Sequence, residues 1–295
     1  MAGTSTSCGS QSTAFTAGIE MYPHIHIGPL HIPGFALMVG IGIAAFFLWT
    51  LTVLIKIEHK DRRSVLKILV IAALSLGALF LSALLLNSLF HSIKQGYPVL
   101  GGITWEGGVL GGLAAFLLLT RIFVKSERGN EVRLLSALMP GLVLAHGFGR
   151  VGCFFGGCCF GRLTESPLGV CFPTGSPAAA LYPNTLTGSG SFPVLPTQLF
   201  EAAFELLLFL LMLLLYKRLC HHYLSLYLMA YGVFRFVLEF WRGDNRGATG
   251  LPISPSQLMS IVLVGWGVVL LLRHHGWLKG RRQEAQDASS HTAAP

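Results

Sequence analysis

Seven stretches of roughly twenty mostly apolar residues punctuate this chain, at about 34–55, 65–90, 108–124, 134–152, 198–216, 223–241 and 255–273. A helix needs about 20 such residues to cross the hydrocarbon core of a bilayer. With no water there to satisfy backbone groups, helices and closed barrels are the structures that span. Glycines interrupt the third and fourth stretches, and the sixth carries ionisable groups. Composition argues the same way. Only 12% of the 295 residues are charged, 53% are hydrophobic, and the mean hydropathy is +0.63. A soluble domain averages about 25% charged residues, so this chain has too little polar surface to face water. A soluble enzyme, a coiled coil and a disordered scaffold are thereby excluded. The expected fold class is an all-α polytopic membrane protein with seven transmembrane helices.

Residues 1–20 are small and polar, contain no Lys or Arg, and lead into no apolar core of the signal-peptide kind. They read as a disordered N-terminal tail, and Cys8 lacks the preceding apolar run of a lipidation site. Residues 21–278 form the expected seven-helix domain, with a long outer-face loop over 153–197. Residues 279–295 are polar and alanine-rich and read as a disordered cytoplasmic tail.

Orientation follows from where the cations fall. Lys56, Lys60, Arg62, Arg63 and Lys67 follow span one, and Arg121, Lys125, Arg128 and Arg133 follow span three. Lys217 and Arg218 follow span five, and Arg273, Lys279, Arg281 and Arg282 close the chain. These are 15 of the 21 basic residues, all on one side. The positive-inside rule makes that side cytoplasmic, with the N-terminus outside and the C-terminus inside. The net charge of +8 is then topology plus attraction to anionic headgroups. Cations scattered over short loops give no support to nucleic-acid binding.

Lys94, Arg150, Arg162, Arg235, Arg242 and Arg246 break the rule by lying on the outer side or inside a span. A cation at membrane depth costs free energy and takes a partner or an anionic ligand. Five of the six are arginine, whose planar fork suits phosphate. Snorkelling at the interface is the plainer reading of such arginines, but these stand in dense polar motifs.

Span four ends in His146-Gly147-Phe148-Gly149-Arg150-Val151-Gly152-Cys153. Glycines flanking Arg150 would let backbone or ligand approach its guanidinium, although small residues also serve helix packing in membranes. Span six carries Tyr231, Arg235, Glu239 and Arg242, which fall on one helical stripe at i, i+4, i+8 and i+11. Such a stripe must face the bundle interior or a hydrated cavity; Arg235–Glu239 as a buried structural pair is the competing explanation. Two span entrances read alike, Pro196-Thr197-Gln198-Leu199 and Pro255-Ser256-Gln257-Leu258. Proline suits a first helical turn, and Ser254 with Gln257 fits a capping box. Helix starts also favour anions. Glu201 and Glu205 follow Gln198 on one face. Glu106, in Gly101-Gly102-Ile103-Thr104-Trp105-Glu106-Gly107-Gly108, is the only acid in a long apolar stretch. His31, ahead of span one, is a candidate acid–base group or a structural donor. All these features fall toward one membrane face, where they outline a cavity for an anionic headgroup.

Four of the six cysteines, Cys153, Cys158, Cys159 and Cys171, lie in the outer segment. That compartment permits disulfides, and a disulfide among these four is the first expectation, with three pairings open. Their spacing resembles no common tetrahedral zinc set, and an exposed thiol nucleophile there would tend to oxidise.

These motifs resemble those of the bacterial prolipoprotein diacylglyceryl transferase family over roughly residues 21–275. The resemblance rests on Ile27-Gly28-Pro29, Gly107-Gly108, Gly149-Arg150-Val151-Gly152, Pro196-Thr197-Gln198-Leu199-Phe200-Glu201, and the run Tyr231-Gly232-Val233-Phe234-Arg235-Phe236-Val237-Leu238-Glu239-Phe240-Trp241-Arg242. It implies transfer of a diacylglyceryl group from phosphatidylglycerol, or a similar anionic phospholipid, to the lipobox cysteine of a prolipoprotein. The setting would be the outer face of the bacterial inner membrane. Arg150 and Arg235 would hold the lipid phosphate in one pocket and Gly149 would let it approach. Tyr231, Glu239, Arg242, Gln198, Glu201, Gln257 and His31 would line the substrate site. Glu106 stands where the family has a histidine and would take the thiol proton. Pro33 replaces a tyrosine, Cys153 an asparagine, Cys158 an acidic residue and Leu195 a histidine. The chemistry requires no metal or organic cofactor. Two alternatives accompany this reading: a relative with the same lipid donor and another acceptor, and a non-catalytic lipid-binding or transport protein. No inverted repeat of the transporter kind is visible.

Overall fold

The structure, a computed structural model, describes residues 24–27, 30–98, 100, 104–244, 249 and 252–292. The expected N-terminal tail, Gly28, Pro29, Gly101, Gly102 and Arg246 lie outside the described residues. A short antiparallel hairpin, β1 (His24–Ile27) and β2 (Leu30–Pro33), leads into α1 (Gly34–Thr52), which ends in a π-helical turn at Val53–Ile57. Then come α2 (Arg62–Gln95), α3 (Trp105–Phe123), α4 (Glu131–Phe155), the short α5 (Pro177–Leu181), α6 (Thr197–Leu214), the one-turn α7 (Tyr216–Leu219), α8 (Tyr223–Leu238) and α9 (Pro255–Thr292). Seven helical segments are long and apolar enough to cross a membrane, with α7 and α8 in one span, Tyr216–Trp241. They coincide with the seven apolar stretches. The chain is a multi-pass membrane protein.

The chain forms two compact units. The first holds residues up to Ile71, Leu138–Arg218 and Leu238–Arg246; the second holds Ala72–Ala137, Leu219–Val237 and the remainder from Gly247.

In the first unit, small residues let α1 and α4 touch. A Cβ on Gly42 would sit 2.8 Å from the Ala145 carbonyl oxygen, and one on Gly141 would sit 2.9 Å from the Trp49 side chain. Without a hydrophobic drive between helices in lipid, such close backbone approach supplies the packing. Pro140 inside α4 is tolerated, as prolines in membrane helices are. The segment between α4 and α6 is more than a loop. Phe154, Phe160, Phe172, Ala178 and Val194 form a small core, edged by the Phe154–Phe172 and Phe160–Tyr182 ring contacts. Isolated bridges pair Val194 with Leu163 and Val170, and Gly161 with Arg242.

In the second unit, α3 meets α2 through Gly108 and Gly112, where a Cβ would press on Leu79 at 3.1 and 2.9 Å. Gly232 of α8 meets α9 at Ser260 and Val264. The backbone of α9 stays helical to Thr292, where the composition pointed to a disordered tail. Gln, Glu, Ala and Arg dominate 281–288, and these are good helix formers.

Candidate functional site

Each unit buries its own set of charged side chains. In the first, α4 brings His146 and Arg150 one turn apart, and α6 brings Glu201 and Glu205 one turn apart. All four are buried. Arg150 Nη2 meets Glu201 Oε1 at 2.9 Å, and Arg150 Nε donates to His146 Nε2 at 3.1 Å. His146 Nδ1 meets Glu205 Oε1 at 2.8 Å. Since Nε2 accepts, the ring's proton must sit on Nδ1, facing Glu205. The 3.8 Å from His146 Nε2 to Glu201 is too long for a hydrogen bond. The two bonds from Arg150 fix the orientation of its guanidinium plane. At the preceding residue, a Cβ on Gly149 would meet nothing within 4 Å, so α4 leaves open space at that position. Gly147 instead packs 3.4 Å from the Glu205 Cβ.

One turn beyond Arg150, α4 ends in a Schellman motif. Gly157 holds φ +61°, its N–H bonds the Phe154 carbonyl at 3.1 Å, and the Cys158 N–H bonds the Cys153 carbonyl at 3.2 Å. Cys159 follows with φ +63°, a left-handed conformation rare outside glycine. The chain therefore doubles back and sets Cys158 and Cys159 over Cys153, with all three sulfurs within 4.8 Å of one another. The start of α6 pins the turn: Gln198 Nε2 donates to the Cys158 carbonyl at 2.7 Å, and Thr197 Oγ1 to the Cys159 carbonyl at 2.9 Å. Cys153, Cys158 and Cys159 form no disulfide in this structure, which corrects the expectation of a disulfide among the four cysteines. The turn aims the sulfurs at one another without joining any pair. Cys171 is disulfide-bonded, to none of these three. The Cys158 thiol is pushed up to about 12. Its hydrogen bond with Cys153 lowers it, but the bond with Cys159, burial and charge repulsion from Cys159 together outweigh that.

In the second unit, Arg235 of α8 is fully buried. Its Nε donates to Glu106 Oε1 of α3 at 2.7 Å, and its Nη2 to Ser256 Oγ of α9 at 2.9 Å. Tyr231 stacks on Tyr227 at 5.5 Å, and Tyr227 Oη accepts from Trp105 Nε1 at 3.3 Å.

The stripe expected along span six does not continue as a helix. After Leu238 the chain tightens into a 3-10 turn, Glu239–Trp241, and Arg242 is extended at φ −75°, ψ 144°. Glu239 and Arg242 thus leave the helical register of Tyr231 and Arg235. The pairing of Gly161 with Arg242 captures the backbone there, and the Arg242 fork grips Asp244 with two bonds of 2.8 and 2.7 Å. Asp244, only two residues on, wins the fork. Gln257 closes the anticipated capping box with Ser254, through bonds of 3.0 and 3.2 Å. Arg162 is exposed. The backbone of His31 lies in β2; its side chain lies outside the described residues. The sequence places Glu205 with Glu201 on one face of the expected cavity, but passes over His146 and Ser256 as site residues. For His146 the available signal is spacing, since it precedes Arg150 by four.

Seven membrane spans with arginine–carboxylate sets buried inside them define a polytopic membrane protein built to hold charge in a low-dielectric interior. The sequence pattern of the prolipoprotein diacylglyceryl transferase family matches residues 23–273. This chain belongs to that family. It is 35% identical over 200 residues to phosphatidylglycerol–prolipoprotein diacylglyceryl transferase 2 of Clostridium perfringens, covering 67% of this chain and 69% of that one. It is 30% identical over 271 residues to the phosphatidylglycerol–prolipoprotein diacylglyceryl transferase of Francisella tularensis subsp. mediasiatica, covering 85% and 94%. The Clostridium tetani protein of that name matches at 35% over 170 residues, 57% of this chain and 62% of that one.

Proposed function

We propose that this protein transfers a diacylglyceryl group from phosphatidylglycerol to the lipobox cysteine of a prolipoprotein, at the outer face of a bacterial inner membrane. Family membership supports the reaction. The observation that carries it is the buried Arg150 guanidinium, its orientation fixed by His146 and Glu201, on a helix that leaves open space at the neighbouring Gly149. In the reaction a thiolate attacks the glyceryl carbon, a thioether bond forms, and the carbon–oxygen bond to phosphate breaks. The electron pair leaves on glycerol phosphate, so negative charge grows on a phosphate oxygen. A fixed guanidinium there stabilises the transition state more than the ground state. The thiol must lose its proton, and an ordinary cysteine has a pKa of about 8.5.

Glu106 was the expected proton acceptor. Its 2.7 Å bond with Arg235 favours a different role, that of the counter-charge fixing Arg235 in place. Arg235, bonded to Glu106 and Ser256 within the second unit, is assigned to holding that buried set together. Gln198, Gln257 and Arg242 are assigned instead to holding the scaffold, because their side chains bond the Cys158 carbonyl, the Ser254 cap and Asp244.

The test is mass spectrometry of a lipobox peptide incubated with the purified protein and phosphatidylglycerol vesicles. The peptide should gain a diacylglyceryl group only if it contains cysteine, and glycerol phosphate should appear in equal amount. The altered positions Cys153 and Cys158 favour one other reading, the same donor with a different acceptor. In that case lipid turnover would proceed with a small thiol or hydroxyl compound, and a strain depleted of its own transferase would not be rescued.

A further inference from the structure

The turn at the end of α4 places three thiols around one point, and the reaction proposed above does not use them. We propose that Cys153, Cys158 and Cys159 form a three-thiolate site for a zinc ion whose fourth position binds the acceptor thiol. The inference rests on the transferase reading for the identity of that thiol, though the metal site itself stands on geometry alone.

Zinc–sulfur bonds are about 2.3 Å, which puts the sulfurs of a tetrahedral or trigonal set roughly 3.8–4.0 Å apart. A triangle with every sulfur within 4.8 Å closes onto such an ion with small side-chain rotations. Thiolates select soft metals over magnesium or calcium. Among the described residues no fourth His, Cys, Asp or Glu joins the group, and the three cysteines are half-buried rather than sealed. Three protein ligands and an accessible face are the pattern of a catalytic zinc site, whereas structural sites close with four. The local spacing, Cys-x4-Cys-Cys, matches no common zinc set; the Schellman turn and the left-handed Cys159 override it. The bonds from Gln198 and Thr197 to the two cysteine carbonyls hold the triangle before any metal arrives.

Cys153 follows Arg150 by three residues on α4, about 4.5 Å along the axis. Three thiolates on zinc carry one net negative charge, and the guanidinium offsets it. An acceptor R–SH entering the fourth position displaces water, gives its proton to solvent, and stays bound as the thiolate. That sulfur then attacks the glyceryl carbon; the carbon–oxygen bond breaks toward the phosphate and zinc returns to water. Zinc thus supplies the deprotonation of the acceptor thiol without a separate protein base.

The test uses the full chain purified in detergent under reducing conditions. Metal analysis should find about one zinc per wild-type chain, and Cys153→Ser, Cys158→Ser or Cys159→Ser should lose at least nine-tenths of it. Cobalt exchanged into the wild-type protein should show sulfur-to-cobalt charge-transfer absorption. That band should change on adding a lipobox peptide and stay unchanged with its Cys→Ser counterpart. Zinc at background level with the three cysteines reacting as ordinary thiols or joined in a disulfide overturns the site. A cobalt spectrum indifferent to the cysteine peptide overturns the assignment of the fourth position. A site that binds zinc and thiol in a protein that transfers no lipid upholds the site and refutes the transferase reading.

Discussion

Arg150 is the residue on which the chemistry turns. Alanine there removes the fork while leaving Glu201 buried without its cation. Removing a positioned charge donor of this kind costs about 10²–10³ in rate, so Arg150→Ala should lower turnover by at least that factor while the protein still inserts. Arg150→Lys should recover little, since an ammonium cannot reproduce two bonds in one plane. The assay is diacylglyceryl transfer by mass spectrometry, and wild-type turnover in either variant would remove Arg150 from the phosphate. Glu106 makes a different prediction. If it is the counter-charge of Arg235, Glu106→Leu strands a buried guanidinium, and breaking a buried pair costs about 3–5 kcal/mol. Thermal unfolding in detergent should fall accordingly; an unshifted transition would contradict the assignment. At this scale the sequence was half legible. Arg150 and Arg235 announced themselves by violating the charge rule, and Glu106 by being alone among apolar residues. Which acid each arginine takes depends on which helices neighbour one another, and a single sequence does not carry that.

The helices themselves were readable because membrane spans are set by length and hydropathy, both local properties. Helix ends were readable where a capping rule applied, as at Ser254 and Gln257. The stripe on α8 failed for the same reason in reverse. A 3.6-residue period assumes that the helix continues, and backbone pairing between Gly161 and Arg242 stops it at Leu238. The thiol turn also escaped the sequence, because it needs the coincidence of a Schellman glycine and a left-handed cysteine. Gly157 carries that element. At φ +61° a side chain pays about 1–2 kcal/mol, and a Cβ there would lie 2.7 Å from the Ser176 Cβ. Gly157→Ala should therefore lower stability by more than 2 kcal/mol and reduce metal content together. A variant of normal stability and metal content would show that the turn does not depend on this glycine. On α8, Gly232→Val should weaken the contact with Ser260 and Val264 and lower the detergent melting temperature; no change would contradict the packing described for that pair.

For the whole molecule, seven spans and the 15 clustered cations predict an outer N-terminus and a cytoplasmic C-terminus. Reporter fusions active only in the cytoplasm should work after Arg273 and fail in the segment between α4 and α6. The reverse pattern would place the Arg150 set and the thiol turn on the wrong side for a translocated acceptor. Family membership and the buried arginine sets then converge on a lipid-to-thiol transfer, and one measurement addresses it without intermediaries. Purified protein, phosphatidylglycerol vesicles and a cysteine lipobox peptide are mixed and the peptide's mass is followed. The account predicts the added mass of one diacylglyceryl group, released glycerol phosphate, and loss of both with Arg150→Ala. An unmodified peptide beside active, correctly inserted protein, or equal modification by the Arg150→Ala variant, would contradict it.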